Sequence, residues 1–328
     1  MHVYKTKDYH NNMKRFVNFL FLTPMILFNS GCNQTTPEPE PEPPVVDPVP
    51  VNVVIISGQS NAVGCTYSKE IKNSMGASKY QDYMYGFPGI KIAYDSWTKD
   101  WTGDGNVVFY SQNKSKDDNF VKVMLGQGNS LVTFGPEIGI AETLNEEYSG
   151  KLCLIKFACG ASNLKDDWLK KDSPMYPRLI EYVKRQMKNL EDAGYIPTIK
   201  AFCWMQGEGD SYDGYYQSYY ENTKEFVTNL REDLKDLAGN KVIPFIDAGI
   251  NNSKNADGLV WRYYREVNAA KKQFADESNN NIYIDTIAAG MHTNLEPVGN
   301  VDPCHYDSES QVLLGTLFAQ NFKQFLDK

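Results

Sequence analysis

Of four histidines in 328 residues, two are open to chemistry in the body of this chain. His2 and His10 precede an apolar leader, which leaves His292 and His305. His305 has Asp302 three residues before it, a spacing at which one turn presents both side chains to the same place. His292 has no carboxylate nearer in sequence than Glu296. An imidazole held by a carboxylate is a general base, and its usual task is to activate a weak hydroxyl nucleophile. The candidate hydroxyl stands in "VVIISGQSNAVG", residues 53–64. There a β-branched run stops at Ser57-Gly58 and Ser60 is displayed between the amides Gln59 and Asn61. Taken alone, Ser60 reads equally as a helix N-cap after a strand, a position that serine favours.

Ser60, His305 and Asp302 together supply the nucleophile, base and orienter of an acyl-transfer triad. Such triads are recognised by geometry, so their order along the chain carries little weight. Acyl transfer also needs donors aimed at the developing oxyanion, each worth ~3 kcal/mol. The backbone amides of Ser60 and Gly160 and the side chain of Gln206 are the candidates. Gln59, Asn61, Asn163, Glu208 and Asp210 lie in the same polar segments and are candidates for substrate binding. For Glu208 and Asp210, structural hydrogen bonding at a strand end is an equal alternative.

These segments share a position. Strand candidates at 51–57, 151–158, 199–205, 241–248 and 281–287 are nearly continuous apolar runs, as expected of strands covered on both faces. Helical patterns at 136–148, 174–193, 213–237, 258–277 and 308–327 alternate with them, which predicts an α/β fold with a five-stranded parallel sheet between helical layers. Ligands of such sheets bind beyond the carboxyl ends of the strands. Gly58–Asn61 follows the first strand, 159–163 the second, 205–210 the third, and 302–307 lies beyond the fifth.

"GQSNA" (58–62), "FACGASNL" (157–164), "WMQGEGD" (204–210) and "DPCHY" (302–306) resemble the blocks of SGNH-type hydrolases. The branch they resemble contains sialate O-acetylesterases and acetylxylan esterases, including carbohydrate esterase family six, and the resemblance spans about residues 51–325. It implies a flavodoxin-like three-layer αβα sandwich and hydrolysis of acetyl esters on sugars with no metal or other cofactor. It also implies Ser60 as nucleophile, His305 as base and Asp302 as its orienter, with Ser60, Gly160 and Gln206 as the oxyanion hole. Residues 66–135, rich in Tyr, Trp, Gly, Asn and Asp, match no block of the family and read as a long functional insertion. Its aromatics Tyr83, Tyr85, Phe87, Trp97 and Trp101 form either a sugar-stacking platform or the local core of a loop. "YDGYYQSYY" (212–220) reads as the buried stripe of its helix.

The first fifty residues stand apart from this domain. Lys14-Arg15, the apolar "FVNFLFLTPMILF" (16–28) and "NSGC" ending at Cys32 describe an export signal over residues 1–31, too short in its apolar part for a span of ~20 residues. The signal resembles that of a bacterial lipoprotein, with Cys32 as the lipid-anchored residue, against the alternative of a plain cleaved signal. "NQTTPEPEPEPPVVDPVP" (33–50) is an extended, self-repelling spacer, so the segment 32–50 is a linker to a domain at 51–328. The expected location is a bacterial cell envelope, facing the periplasm or the outside.

A net charge of −8 argues against nucleic acid, which needs a basic surface, and suits neutral substrates. Six cysteines without a CxxC pair argue against structural zinc, and Cys153 and Cys203 in apolar runs read as buried thiols. The function expected is a serine esterase releasing acetyl groups from a carbohydrate such as an acetylxylan or a sialic acid. Two rivals remain: a lipase or thioesterase for longer acyl chains, and a carbohydrate-binding surface lipoprotein without activity.

Overall fold

In the computed structural model, residues 47–169, 173–212 and 214–327 are described. The export signal, Cys32 and most of the Pro/Glu spacer lie outside them. Eight strands form one sheet: β1 (Val49–Gly58), β2 (Phe87–Trp101), β3 (Val107–Lys114), β4 (Val121–Val123), β5 (Leu152–Gly160), β6 (Tyr195–Met205), β7 (Phe245–Ala248) and β8 (Asn281–Ile284). Their order is β8-β7-β6-β1-β5-β2-β3, with β4 paired to β2. The five predicted strands lie adjacent and parallel in this sheet.

The sheet is wider than the five strands expected. β2, inside the segment read as an insertion, runs parallel to β5 from Ile90 to Thr98, while β3 and β4 pair antiparallel to it. Residues 66–135 are therefore part of the central sheet as well as of its loops. Ile90, Ile92, Ala93 and Tyr94 are buried there as fully as the residues of the predicted strands.

The main helices are α1 (Ser60–Val63), α2 (Glu137–Leu144), α3 (Tyr176–Asp192), α4 (Tyr219–Leu234), α5 (Tyr264–Ala275) and α6 (Ser308–Leu326). The sheet grows in two directions from β1, and right-handed crossovers then place the connecting helices on opposite faces. α3, α4 and α5 form one layer, and α2 packs against α6 in the other. The five long helical patterns are all present, with α4 starting at Tyr219 instead of 213. No described helix is long and apolar enough to cross a membrane.

Covering both faces explains the apolar strands, and one exception matters for the site. Lys156, in the middle of β5, is fully buried. Its ammonium donates to Glu137 Oε2 of α2 at 2.8 Å, to Gln127 O at 2.6 Å and to Val63 O at 3.1 Å. Burial lowers the Lys156 pKa, and the Glu137 carboxylate opposes that shift. The ion pair thus ties the sheet and α2 to the last residue of α1. The described cysteines Cys65, Cys153, Cys159, Cys203 and Cys304 are all free thiols, and burial pushes the Cys153 thiol up to about 12.

Candidate active site

The turn after β1 delivers Ser60. Gly58 has φ +136°, and a Cβ there would lie 2.0 Å from Met205 O, so glycine alone lets the chain turn against the end of β6. Gln59 N–H donates to Met205 O at 2.9 Å and Gln59 occupies the N-cap position without a side-chain cap. Ser60 is thus the first helical residue, not the cap. Its own N–H, at the first position, has no partner within the helix.

Ser60 lines a cavity of about 800 Å³ that lies beyond the carboxyl ends of β1, β5 and β6, together with Gln59, Gly160, Asn163 and His305. Gly160 is the last residue of β5, and a Cβ on it would stand 3.9 Å from Ser60 Cβ. The missing side chain keeps its backbone open to whatever Ser60 attacks.

His305 arrives from the loop ahead of α6. Its Nδ1 is 2.5 Å from Asp302 Oδ2, while Asp302 Oδ1 accepts the Cys304 N–H at 2.8 Å. Burial raises the Asp302 carboxyl, but the His305 ring and neighbouring amides outweigh it and hold the pKa below the usual value. Burial opposes charge on His305 too. Cys65 and Asp302 outweigh that and raise its pKa well above the ordinary imidazole value. Cys65 also lines the cavity. No hydrogen bond joins Ser60 Oγ to His305 among the described residues. Catalytic contacts of this kind often tighten only around bound substrate.

Several expected site residues are committed elsewhere. Gln206 is fully buried and off the cavity, donating to Asp210 Oδ2 at 2.6 Å and to Gln59 Oε1 at 3.2 Å while its Oε1 accepts from Tyr219 Oη at 3.1 Å. With its amide protons taken by the interior, it is not placed as an oxyanion donor. Asn61 is also buried: its Nδ2 donates to Glu208 Oε1 at 2.8 Å, and its Oδ1 accepts the Tyr306 N–H at 3.1 Å. Asp210 accepts the amides of Leu164 and Lys165 at 2.7 and 3.4 Å, and burial raises its pKa to about 7. Burial raises Glu208 likewise. Asn61, Glu208 and Asp210 are therefore internal struts that join the loops after β1, β5 and β6. Burial and internal partners place Glu208 and Asp210 in structural hydrogen bonding, while Gln59 and Asn163 line the cavity.

Gln59 is more telling than its sequence position suggested. Its Oε1 accepts from the N–H groups of Gly207 and Gly209, at 3.4 and 3.1 Å, besides Gln206 Nε2. Three donors on one oxygen fix the amide's orientation and turn the Nε2 donor away from them. Asn163 donates to Asp166 Oδ2 at 3.2 Å.

His292 does have a carboxylate partner, which sequence spacing hid. Its Nδ1 is 2.6 Å from Asp307 Oδ2, fifteen residues on. That pair lies off the cavity lining, and Asp307 also accepts the amides of Asn294, Leu295 and Glu296.

Of the five aromatics offered as a platform, Trp97 and Trp101 line the cavity. Tyr83 is core, Phe87 packs on it with ring centroids 5.8 Å apart, and Tyr85 is exposed away from the lining. Tyr212 and Tyr215, read as part of a buried stripe, precede α4 and line the cavity with Trp261. Tyr219 alone of these tyrosines is fully buried. Among the described residues, no group of three or more His, Cys, Asp or Glu side chains is arranged to hold a metal ion.

A family model described as carbohydrate esterase, sialic acid-specific acetylesterase matches residues 50–324. Similar solved structures include a protein from Arabidopsis thaliana, 21% identical, over 84% of this chain and 98% of that one, with a TM-score of 0.54. NanS is 14% identical over 86% of this chain and 99% of its own, with a TM-score of 0.55. At such identities the likeness is one of fold. No curated protein matches the chain.

Proposed function

The chain belongs to the carbohydrate esterase, sialic acid-specific acetylesterase family and is a carbohydrate O-acetylesterase, and from that premise we propose that it works through an acetyl-serine at Ser60. The observation that carries this reading is the Asp302–His305 pair, whose imidazole lines the same cavity as Ser60. Ser60 Oγ attacks the acetyl carbonyl as His305 takes its proton, and the electron pair of the carbonyl moves onto oxygen. Collapse expels the sugar hydroxyl, which receives that proton from His305. Water, deprotonated by the same ring, then attacks the acetyl-enzyme and releases acetate, restoring Ser60. Asp302 holds the ring's tautomer and stabilises the imidazolium in both halves.

The N–H groups of Ser60 and Gly160 face the oxyanion. Gln59 Nε2 supplies the side-chain donor in place of Gln206, since its oxygen is pinned and its nitrogen is free to serve the cavity it lines. Hydrolysis of p-nitrophenyl acetate by wild type and Ser60→Ala tests the mechanism. A loss of roughly 10³-fold or more in kcat is expected; activity that survives in Ser60→Ala overturns it. Tethering through a lipid on Cys32 belongs to the same proposal and is read by fatty-acid labelling of wild type against Cys32→Ser.

A further inference from the structure

The chain turns sharply after β5, at Gly160 and Ala161 of the cavity lining. Ala161 has φ +59°, in the left-handed region that residues with a Cβ avoid. A strained residue of this kind persists only where its surroundings over-determine it. Part of the hold is local. Ser162 Oγ donates to Cys159 O at 2.7 Å across the turn and accepts from Trp168 Nε1 at 2.8 Å. The loop after β6 adds to it. A Cβ at Gly209 would lie 2.4 Å from Ser162 O, and Asp210 Oδ2 accepts the Leu164 N–H at 2.7 Å.

A further hold comes from β2. Thr98 is the partner of Gly160 in the sheet, so Lys99 stands one residue beyond the pairing. Lys99 is buried in the cavity wall, and its ammonium donates to both oxygens of Asp167, at 3.0 and 2.9 Å. Asp167 Oδ2 also accepts the Asn163 N–H at 2.8 Å, and the Asp167 N–H donates to Asn163 O at 3.1 Å. One carboxylate therefore ties β2 to the residue that closes the turn. Burial raises the Asp167 pKa, against Lys99 and the Asn163 amide, which both favour its charged form.

Stability alone does not account for such a pair. Buried ion pairs give little net stabilisation, because desolvation offsets the attraction. This one joins segments 68 residues apart beside the Gly160 turn. An oxyanion donor is effective only if it is already in place when the charge develops.

We propose that Lys99 and Asp167 are positioning residues. Their ion pair locks the Gly160–Asn163 turn, with Ala161 left-handed, so that the Gly160 N–H is in place when the acetyl oxyanion forms. This rests on the acetyl-serine reading above, with Gly160 as an oxyanion donor, and adds two residues that act through the turn.

The double variant Lys99→Met, Asp167→Asn removes both charges, so neither is stranded, and keeps an oxygen for the Asn163 N–H. Its kcat on p-nitrophenyl acetate should fall by roughly 10- to 100-fold with KM little changed, as expected of a donor displaced by ~1 Å. Phenylboronic acid, whose tetrahedral adduct with a serine hydroxyl places an oxygen in the oxyanion position, should bind more weakly by a similar factor. The acid limb of the pH profile should not move, since His305 keeps Asp302. The isosteric Asp167→Asn alone breaks the same tie and should show the same two losses; it carries the test if the double variant does not fold.

Wild-type kcat and boronate affinity in these variants overturn the proposal, whatever their melting temperature. A fall in kcat without a fall in boronate affinity overturns it too, as does a rise in KM alone, the mark of a substrate contact. In each case the acetyl-serine reading stands as long as Ser60→Ala is inactive. Activity that survives in Ser60→Ala sinks both.

Discussion

Asn61, the residue after the nucleophile, holds Tyr306, the residue after the base: its Oδ1 accepts the Tyr306 N–H at 3.1 Å. The same amide donates to Glu208 Oε1 at 2.8 Å, and its backbone oxygen accepts Gln311 Nε2 of α6 at 3.0 Å. Ser60 and His305 are 245 residues apart in sequence, and this side chain sets their spacing. Asn61→Ala should therefore lower kcat on p-nitrophenyl acetate by roughly 10- to 100-fold with KM little changed, since a ~1 Å misplacement costs about that much. A lowered melting temperature with kcat intact would show Asn61 to be a fold residue alone.

Gln59 and Gln206 make opposite predictions from one hydrogen bond. Gln59→Glu keeps an oxygen for Gly207, Gly209 and Gln206 to bind, yet removes the Nε2 donor proposed for the oxyanion hole. It should cost ~10²–10³-fold in kcat, the usual value of one oxyanion donor, with the melting temperature nearly unchanged. Gln206→Ala, by contrast, should lower stability first, because it strips a buried partner from Asp210 and Tyr219. Steady-state kinetics beside thermal melts distinguish the two. An active Gln59→Glu enzyme would remove Gln59 from the oxyanion hole.

Sequence exposed this site unevenly, for physical reasons. Ser60, Gly160 and His305, which line one cavity, and Asp302, which meets the His305 ring, stood out in sequence because residue types able to activate a hydroxyl are few and strand ends are where they gather. Polar residues in the same blocks were not sortable, because an amide or carboxylate at a strand end looks alike whether it meets water or another loop. Asn61, Glu208 and Asp210 proved buried, and only three-dimensional closure of the loops decides that. β2 was hidden in another way. Pro88, Gly89, Lys91 and Asp95 interrupt its apolar pattern, although Ile90, Ile92, Ala93 and Tyr94 are buried between layers. Losing β2 also lost the geometry that brings Trp97 and Trp101 into the same cavity lining as Tyr212. His292 shows the limit of local spacing, as its carboxylate lies fifteen residues away at the start of α6.

Cys65 should be visible in the pH profile. A base must be neutral to accept a proton, so a raised His305 pKa places the acid limb of kcat/KM above the ordinary imidazole value of ~6.5. Cys65 and Asp302 are what raise it against burial. Cys65→Ala should then shift the acid limb to lower pH, leaving the Asp302 contact in place. For stability the sign is the same: protonated His305 favours the fold below ~6.5, and that contribution is lost as pH rises through the folded pKa. Profiles of kcat/KM from pH 5 to 9 for the two enzymes settle the point. Superimposable acid limbs would rule out an influence of the thiol on the base.

Lys156 and Glu137 tie the floor of the site to α1, and breaking them should be costlier than removing them. Lys156→Met leaves the Glu137 carboxylate fully buried without its cation and strips a donor from Val63 O, three residues after Ser60. Breaking a buried pair in this way costs ~3–5 kcal/mol. The double variant Lys156→Met, Glu137→Leu removes both charges and should recover most of that loss, because apolar replacements of a buried pair are often neutral. Its activity is the more informative readout. If Val63 O needs the ammonium to hold α1 in place, the double variant regains stability by chemical denaturation but not kcat. Recovery of both would make the ion pair a matter of packing, with the Ser60 turn held by Gly58 and Asn61 alone.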